Sequence, residues 1–317
     1  MQILNENDIF KASLLLQEGK LVCFPTETIY GLGADATNQE AVLEIFKAKG
    51  RPNFNPLIAH VSSIEMAEEI AEFTELAIKI AINFWPGPLT LILKKKECDI
   101  CPAITAGLDT IAVRMPSNQM ALDLICKVRK PIAAPSANKS GSPSPTEAKH
   151  VINTYKDSEI DAIIDGGRTK VGLESTILDL TTDTPTILRH GSITKEDIEA
   201  KFPIKIAESI KEDEKGKVKS PGQLLKHYAP NLNVRLNAVD VKEGEALITF
   251  GETDLEGEDT INLSPSGDLK EAGHNLFAAL IELDDSIKFT NIAVTPIPNE
   301  GIGIAINDKL NRASSKK

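Results

Sequence analysis

Two cations stand one residue apart in Lys49-Gly50-Arg51, at the end of an amphipathic stretch and just before Pro52. A pair so spaced can diverge onto separate phosphate groups, arginine as a planar two-pronged fork and lysine as a point charge. The same residues would also serve as solvated cations that complement the negative end of a helix. A site is favoured because Pro52 and then Asn55-Pro56-Leu57 lead directly into a short apolar run ending at His60. His60, alone, reads first as a structural histidine. A second polar group lies in Ala134-Pro135-Ser136-Ala137-Asn138-Lys139-Ser140-Gly141, followed by Pro143, Ser144 and Pro145. Its hydroxyls, amide and N–H groups suit an anion nest or, taken alone, a plain polar turn. Thr28 and Tyr30, Arg114, and Ser175-Thr176 add further hydroxyls and a cation. Each stretch adjoins an apolar run of β character, the usual way to build a small-molecule site from loops at strand ends.

Other chemistries find no support. No G-x-x-x-x-G-K-[ST] phosphate loop is present, no G-x-S-x-G, and no single Ser/His/Asp arrangement stands out. Cys98 and Cys101 form a C-x-x-C, but no second pair or His-x-x-x-His joins them, so no zinc is expected. With Cys23 and Cys126 they read as reduced, incidental thiols. The residues by themselves indicate an α/β enzyme with a phosphate-binding pocket.

The elements that must position these residues follow from periodicity. Helices are expected over residues 8–18 and Gln39–Lys49, the latter with Ala41, Val42, Ile45 and Phe46 on its apolar face. Residues 21–24 form a strand stopped by Pro25, and 57–61 another. A helical region over 64–84 leads through the rigid turn Trp85-Pro86-Gly87-Pro88 into a strand over 89–93. Further strands are expected over 110–115, 132–134, 162–164 and 175–180. Alternation of this kind defines the α/β class. Past Phe202 comes a charged segment, 211–222, with almost nothing apolar to bury. Strands over 234–236, 246–250 and 291–294 and a helix over 269–283 then make a second α/β pattern. The expected organisation is a catalytic domain at 1–203, a linker at 204–231 that closes over the site, and a small α/β domain at 232–317.

A length of 317 residues with 41% hydrophobic content suits two domains with real cores. The net charge is −11 and neither half of the chain is basic, which argues against tight non-specific nucleic-acid binding. The polar, acidic opening Met1-Gln2-Ile3-Leu4-Asn5-Glu6-Asn7-Asp8 is unlike a secretory signal, and no apolar run approaches the roughly 20 residues that span a bilayer. A cytoplasmic protein without a membrane partner is expected.

At these motifs the sequence resembles the threonylcarbamoyl-AMP synthase family, built on the YrdC-like domain. Its Lys-x-Arg and Ser-x-Asn signatures appear as Lys49-Gly50-Arg51 and Ser136-Ala137-Asn138. Thr26-Glu27-Thr28-Ile29-Tyr30-Gly31-Leu32, Asn55-Pro56-Leu57, Trp85-Pro86-Gly87-Pro88-Leu89-Thr90, Val113-Arg114-Met115-Pro116 and Gly172-Leu173-Glu174-Ser175-Thr176 match in order. The resemblance covers roughly residues 8–202 and continues through Ser220-Pro221-Gly222 and His227-Tyr228-Ala229-Pro230, as in the longer members. It implies a twisted, open mixed sheet followed by a smaller, Rossmann-like α/β domain. It implies synthesis of L-threonylcarbamoyl-AMP from L-threonine, bicarbonate (or CO2) and ATP with release of pyrophosphate. Mg2+ would accompany the nucleotide. A downstream threonylcarbamoyl-transferase complex would use the product on the tRNA adenosine next to the anticodon, with tRNA met indirectly or weakly. By position, Thr28, His60, Arg114, Ala134 and Ser175 would hold threonine. Arg51, Asn55, Thr110, Ser136, Asn138, Ser144, Arg189 and Tyr228 would hold ATP, with Lys49 and Arg51 as the catalytic pair.

Overall fold

The structure is a computed structural model describing residues 1–155, 159–208 and 228–315. Its first part is a mixed sheet of 12 strands. At the heart of that sheet, Ile58–His60 runs parallel to Thr110–Arg114, and the register pairs His60 with Arg114. Thr110–Arg114 runs antiparallel to Leu89–Lys95, which lies parallel to Thr176–Asp179. Thr186–Arg189 closes against Thr176–Asp179 in antiparallel fashion, with Arg189 opposite Ile177. Because side chains alternate along a strand, these registers bring His60, Arg114 and Arg189 to one face.

Local signals explain how that face is equipped. The Asn38 side chain caps Gln39–Lys49 by accepting from the Ala41 N–H, and Gly50 ends the helix with φ 62°. That left-handed turn, natural for glycine, sends the chain from Lys49 straight to Arg51. Residues 26–29 make a tight turn in which Thr26 Oγ1 donates to the Ile29 carbonyl at 2.7 Å. The turn joins Val22–Pro25 to the antiparallel strand Tyr30–Asp35.

Tyr30–Asp35 is completely buried, although its glycines and threonine-rich lead-in make it look like loop. A Cβ on Gly33 would sit 2.7 Å from the Phe24 ring, so the small residue is a packing requirement and not a sign of exposure. The region 64–84 likewise departs from the single helix expected. Ile64–Ile70 and Glu75–Phe84 are separate helices, divided by Ala71–Glu72, which pairs with Lys94 and Lys95. Thr74 starts the second one by accepting from the Ala77 N–H, a capping signal strong enough to break the run.

The second part is a four-stranded parallel sheet in the order Asn233–Arg235, Asn291–Val294, Glu245–Thr249, Thr260–Asn262. Helices Leu269–Glu282 and Ile302–Ser314 complete this Rossmann-like unit. The two parts share apolar packing: Ile29 and Leu173 from the first are buried in the core of the second, beside Tyr228 and Phe277. Gly172, at φ 74°, lies so close to the His274 backbone that a Cβ there would be 2.4 Å from the His274 carbonyl oxygen. The large sheet takes Ala207–Glu208 as its last strand, beyond residue 203. The charged segment 211–222 and His227 lie outside the described residues. No helix among the described residues is long and apolar enough to cross a membrane.

Candidate active site

The strand ends and loops meet in a cleft lined by Thr26, Arg51, His60, Arg114, Ala134, Ser136, Glu174, Ser175 and Arg189, among others. Half of the residues singled out in the sequence, Arg51, His60, Arg114, Ala134, Ser136, Ser175 and Arg189, are therefore brought together from six separate segments, while Lys49, Asn55, Asn138, Ser144 and Tyr228 are not among the lining residues. Thr28 is one layer back, its Oγ1 2.8 Å from that of Thr26, so the hydroxyl at the wall is Thr26. Thr110 is half-buried at the start of its strand and is not among the lining residues.

Lys49 and Arg51 are not the solvated helix-end cations that their position suggests. Lys49 is 2% exposed and Arg51 7%. Lys49 Nζ donates to the carbonyls of Ser136, at 2.5 Å, and Asn138, which ties the helix end to the Ser-x-Asn loop. Burial, aided by the neighbouring Arg51 charge, holds its pKa well below the usual lysine value. Arg51 donates from Nε to Asn55 O at 3.3 Å and from Nη2 to Pro56 O at 3.0 Å. Burial lowers its pKa to about 10, which leaves it charged at neutral pH. Asn55 Oδ1 and Asn138 Oδ1 are buried with no hydrogen-bond partner among the described residues. Two orphaned acceptors beside buried cations are what a ligand bearing both donors and anions would satisfy.

On the opposite wall, Arg114 Nη2 lies 2.6 Å from Glu27 Oε1 in a fully buried ion pair, and its Nε donates to Gly87 O at 3.3 Å. The other Glu27 oxygen accepts the Ser117 N–H at 3.1 Å, fixing the carboxylate that aims the guanidinium. His60 packs edge-on to Phe24, with ring centroids 6.2 Å apart. Burial and the Arg114 charge drive its pKa down to about 3, so it is neutral in the working range. The Ala134 N–H donates to the Ile58 carbonyl at 3.0 Å, which sets the strand end that lines the cleft.

The third wall is a network. Ser175 Oγ is 2.7 Å from Thr90 Oγ1 and accepts from Arg189 Nη2 at 3.0 Å, while Arg189 Nε donates to Ser175 O at 3.0 Å. Ser144 Oγ donates to Glu174 Oε1 at 3.1 Å, and the Tyr228 hydroxyl donates to Glu174 Oε2. Tyr228 is fully buried at φ 65°, with its ring 5.4 Å from that of Phe277 in the second part. Burial and the Glu174 charge push the phenol pKa well above its ordinary value.

Sequence reading assigned no role to Glu27, Thr90, Glu174 or Lys309. Glu27 and Glu174 stood inside recognised motifs, yet their partners are far away in sequence. Lys309 gave no signal: a lysine in an amphipathic helix reads as surface, but here Nζ is fully buried and donates to His190 O at 2.8 Å. All four cysteines are free, and no group of three or more metal-ligating side chains gathers among the described residues.

Fold and site together define a two-part α/β protein with buried arginines around one pocket. Residues 14–191 match the Sua5/YciO/YrdC family model, described as Telomere recombination. Residues 193–315 match the model described as Threonylcarbamoyl-AMP synthase, C-terminal domain. The chain is 42% identical to a threonylcarbamoyl-AMP synthase of Pyrococcus abyssi over 96% of its own length and 93% of the relative's. It is 40% identical to one of Bacillus subtilis, covering 98% and 94%. The crystal structure of P. abyssi Sua5 complexed with L-threonine superposes with a TM-score of 0.90 at 40% identity, covering 99% of this chain and 98% of that one. The chain belongs to the two-domain threonylcarbamoyl-AMP synthase family.

Proposed function

We propose that this pocket makes L-threonylcarbamoyl-AMP, acting as a nucleotidyltransferase on L-threonine, bicarbonate and ATP. One observation carries the assignment of roles: Arg51, Arg114 and Arg189 are all buried around one cleft, and buried Lys49 is tied to its wall through the Ser136 carbonyl. The threonine amine first joins bicarbonate as a carbamate, with loss of water. A carbamate oxygen then attacks the α-phosphorus of ATP, the bond to the bridging oxygen breaks, and pyrophosphate leaves. Two anions must approach each other, so fixed cations and N–H donors contribute more than a protein nucleophile would. Holding both in one cleft also makes the encounter effectively intramolecular.

In this reading Arg114, aimed by Glu27, receives the threonine carboxylate. Neutral His60, Ser175, the Thr26–Thr28 hydroxyl pair and the Ala134 backbone shape the rest of the amino-acid site. Lys49 and Arg51 meet the phosphates where bonds change. Ser136, Ser144, Arg189 and Tyr228 hold the remainder of the nucleotide, and the orphaned Asn55 and Asn138 amides accept from it. Thr110 joins only at the periphery, on the face it shares with Arg114. The side chains here are mostly cations and hydroxyls, which receive phosphate oxygens, so Mg2+ would ride on the nucleotide and not in a protein cage. The product would pass in the cytoplasm to a transferase complex that modifies tRNA, and the acidic chain itself would meet tRNA weakly at most.

The test is direct. Purified protein with ATP, bicarbonate and labelled threonine should release pyrophosphate and form a threonine-bearing adenylate. Pyrophosphate release that does not depend on threonine would overturn the assignment.

A further inference from the structure

Glu174 is a carboxylate in a pocket designed for anions, and nothing in the reaction above uses it. It is 3% exposed. One of its oxygens accepts from Ser144 Oγ at 3.1 Å. The other accepts from the Tyr228 hydroxyl and lies 3.9 Å from Arg189 Nη1. Lys49, Arg51 and Lys309 also feel its charge. Ser144, Arg189 and Tyr228 are three of the side chains that the proposed function gives to the nucleotide. An ATP phosphate needs these donors, and it cannot have them while a carboxylate keeps them.

We infer that Glu174 is a positioning residue for the nucleotide: its carboxylate gathers Ser144, Arg189 and Tyr228 as a phosphate would, and ATP binding transfers the three donors from carboxylate to phosphate. The inference rests on the synthase reading of the pocket. Electrostatics requires some such anion, because several cations buried around one cleft repel one another unless a negative charge lies among them. The loop geometry limits what can move. A Cβ on Gly191 would be 2.4 Å from the Glu174 carbonyl oxygen, and Gly172 is pressed equally closely on the His274 backbone. The backbone is thus pinned on both sides of Glu174, and the transfer is left to its side chain. Glu174 therefore has two opposing effects: it preorganises the donors, and it competes with the ligand for them.

The experiment compares the full-length wild type with Glu174→Gln and Glu174→Asp. ATP and, separately, inorganic pyrophosphate are titrated by calorimetry, and melting is followed with and without each. Glu174→Gln keeps the shape and removes the competing charge. Its ATP dissociation constant should fall at least about fivefold, below the full weight of one charged hydrogen bond. Its melting temperature alone should drop, and ATP should raise it by more than it raises the wild type's. KM for ATP should fall while KM for threonine stays put. Glu174→Asp, which keeps the charge, should bind ATP like wild type. A merely structural glutamate predicts that ATP and threonine binding weaken together in Glu174→Gln, and that result, or unchanged ATP affinity, overturns the inference. If Glu174→Gln does not fold alone, pyrophosphate should restore a cooperative melt, and failure to do so also overturns it. Wild-type protein that binds pyrophosphate but not ATP would strike down the synthase reading, and the transfer would then be judged on pyrophosphate affinity alone.

Discussion

Lys49→Met is the substitution whose consequences can be worked furthest from the structure. Methionine keeps most of the aliphatic stem, so the packing at the end of Gln39–Lys49 survives, but both hydrogen bonds from Nζ to the Ser136 and Asn138 carbonyls are lost. A buried polar group left without its partner costs about 1–3 kcal/mol. Two carbonyls are affected, and removing the desolvated ammonium gives part of that back, so a net loss of about 2–4 kcal/mol is expected. For a chain of this size that is a fall in melting temperature of roughly 5–10 °C. Activity should fall by at least about 100-fold, the scale for one lost electrostatic donor at the reacting charge. Arg51→Ala should lose a similar amount. The pH dependence separates the lysine from any general packing defect. Its folded pKa lies below the unfolded value of 10.5, so the unfolded state binds more protons between the two. Stability therefore rises with pH across that window, by up to about 1.4 kcal/mol per unit. Denaturant unfolding at a series of pH values rising to 10 should show wild type gaining on Lys49→Met once the pH passes the lowered folded pKa. Equal stability at every pH, with turnover near wild type, would refute a buried lysine at the phosphates.

Three further outcomes are expected. His60 has a folded pKa of about 3 against 6.5 unfolded, so it binds a proton more readily when unfolded; stability should fall as pH drops from 6.5 toward 3, and acid unfolding of His60→Asn should show a shallower decline. Serine lacks only the threonine methyl and should be discriminated against by roughly 10–200-fold, whereas valine, which leaves a buried polar partner unpaired, should be rejected more strongly in competition assays. A chain ending at Phe202 should fold, because the large sheet has its own core, but should lose most synthase activity while exposing Ile29 and Leu173; pyrophosphate release and dye binding measure the two effects.

What the sequence disclosed was whatever is encoded locally. Gln39–Lys49 was legible end to end because Asn38, the apolar period and Gly50 lie within one stretch. Ala162–Ile164 and Asn291–Val294 read correctly as compact β-branched runs. Gln119–Val128 was missed although Asn118 caps it and Ala121, Leu124, Ile125 and Val128 make a buried face, so that signal was available. Tyr30–Asp35 was illegible for a physical reason: its small residues are dictated by Phe24 and Ile132 across the packing, which no window of sequence contains. The motif residues of the site could be collected from sequence, but not their state. Lys49 looked solvated because its acceptors lie 87 and 89 residues away. Glu27 looked like a polar loop residue because Arg114 is equally remote.

The same remoteness links the pocket to the second domain. Its charges are buried, and those of the first domain are offset within it, Arg114 by Glu27 and Arg189 by Glu174. Lys309, on Ile302–Ser314, reaches across to the His190 carbonyl, adjacent to Arg189, and its Nζ lies 5.6 Å from the centroid of the Tyr228 ring. Asp308 beside it offsets the charge, with Nζ 3.2 Å from its carboxylate and Arg312 at 3.0 Å on the other side. Tyr228, wedged between this lysine and Phe277, then directs its hydroxyl at Glu174. The chain of contacts from helix Ile302–Ser314 to the cleft thus contains no exposed link. Buried electrostatics is sensitive to small displacements because little solvent screens it. A shift of the second domain would therefore alter the charge around Arg189 and Glu174.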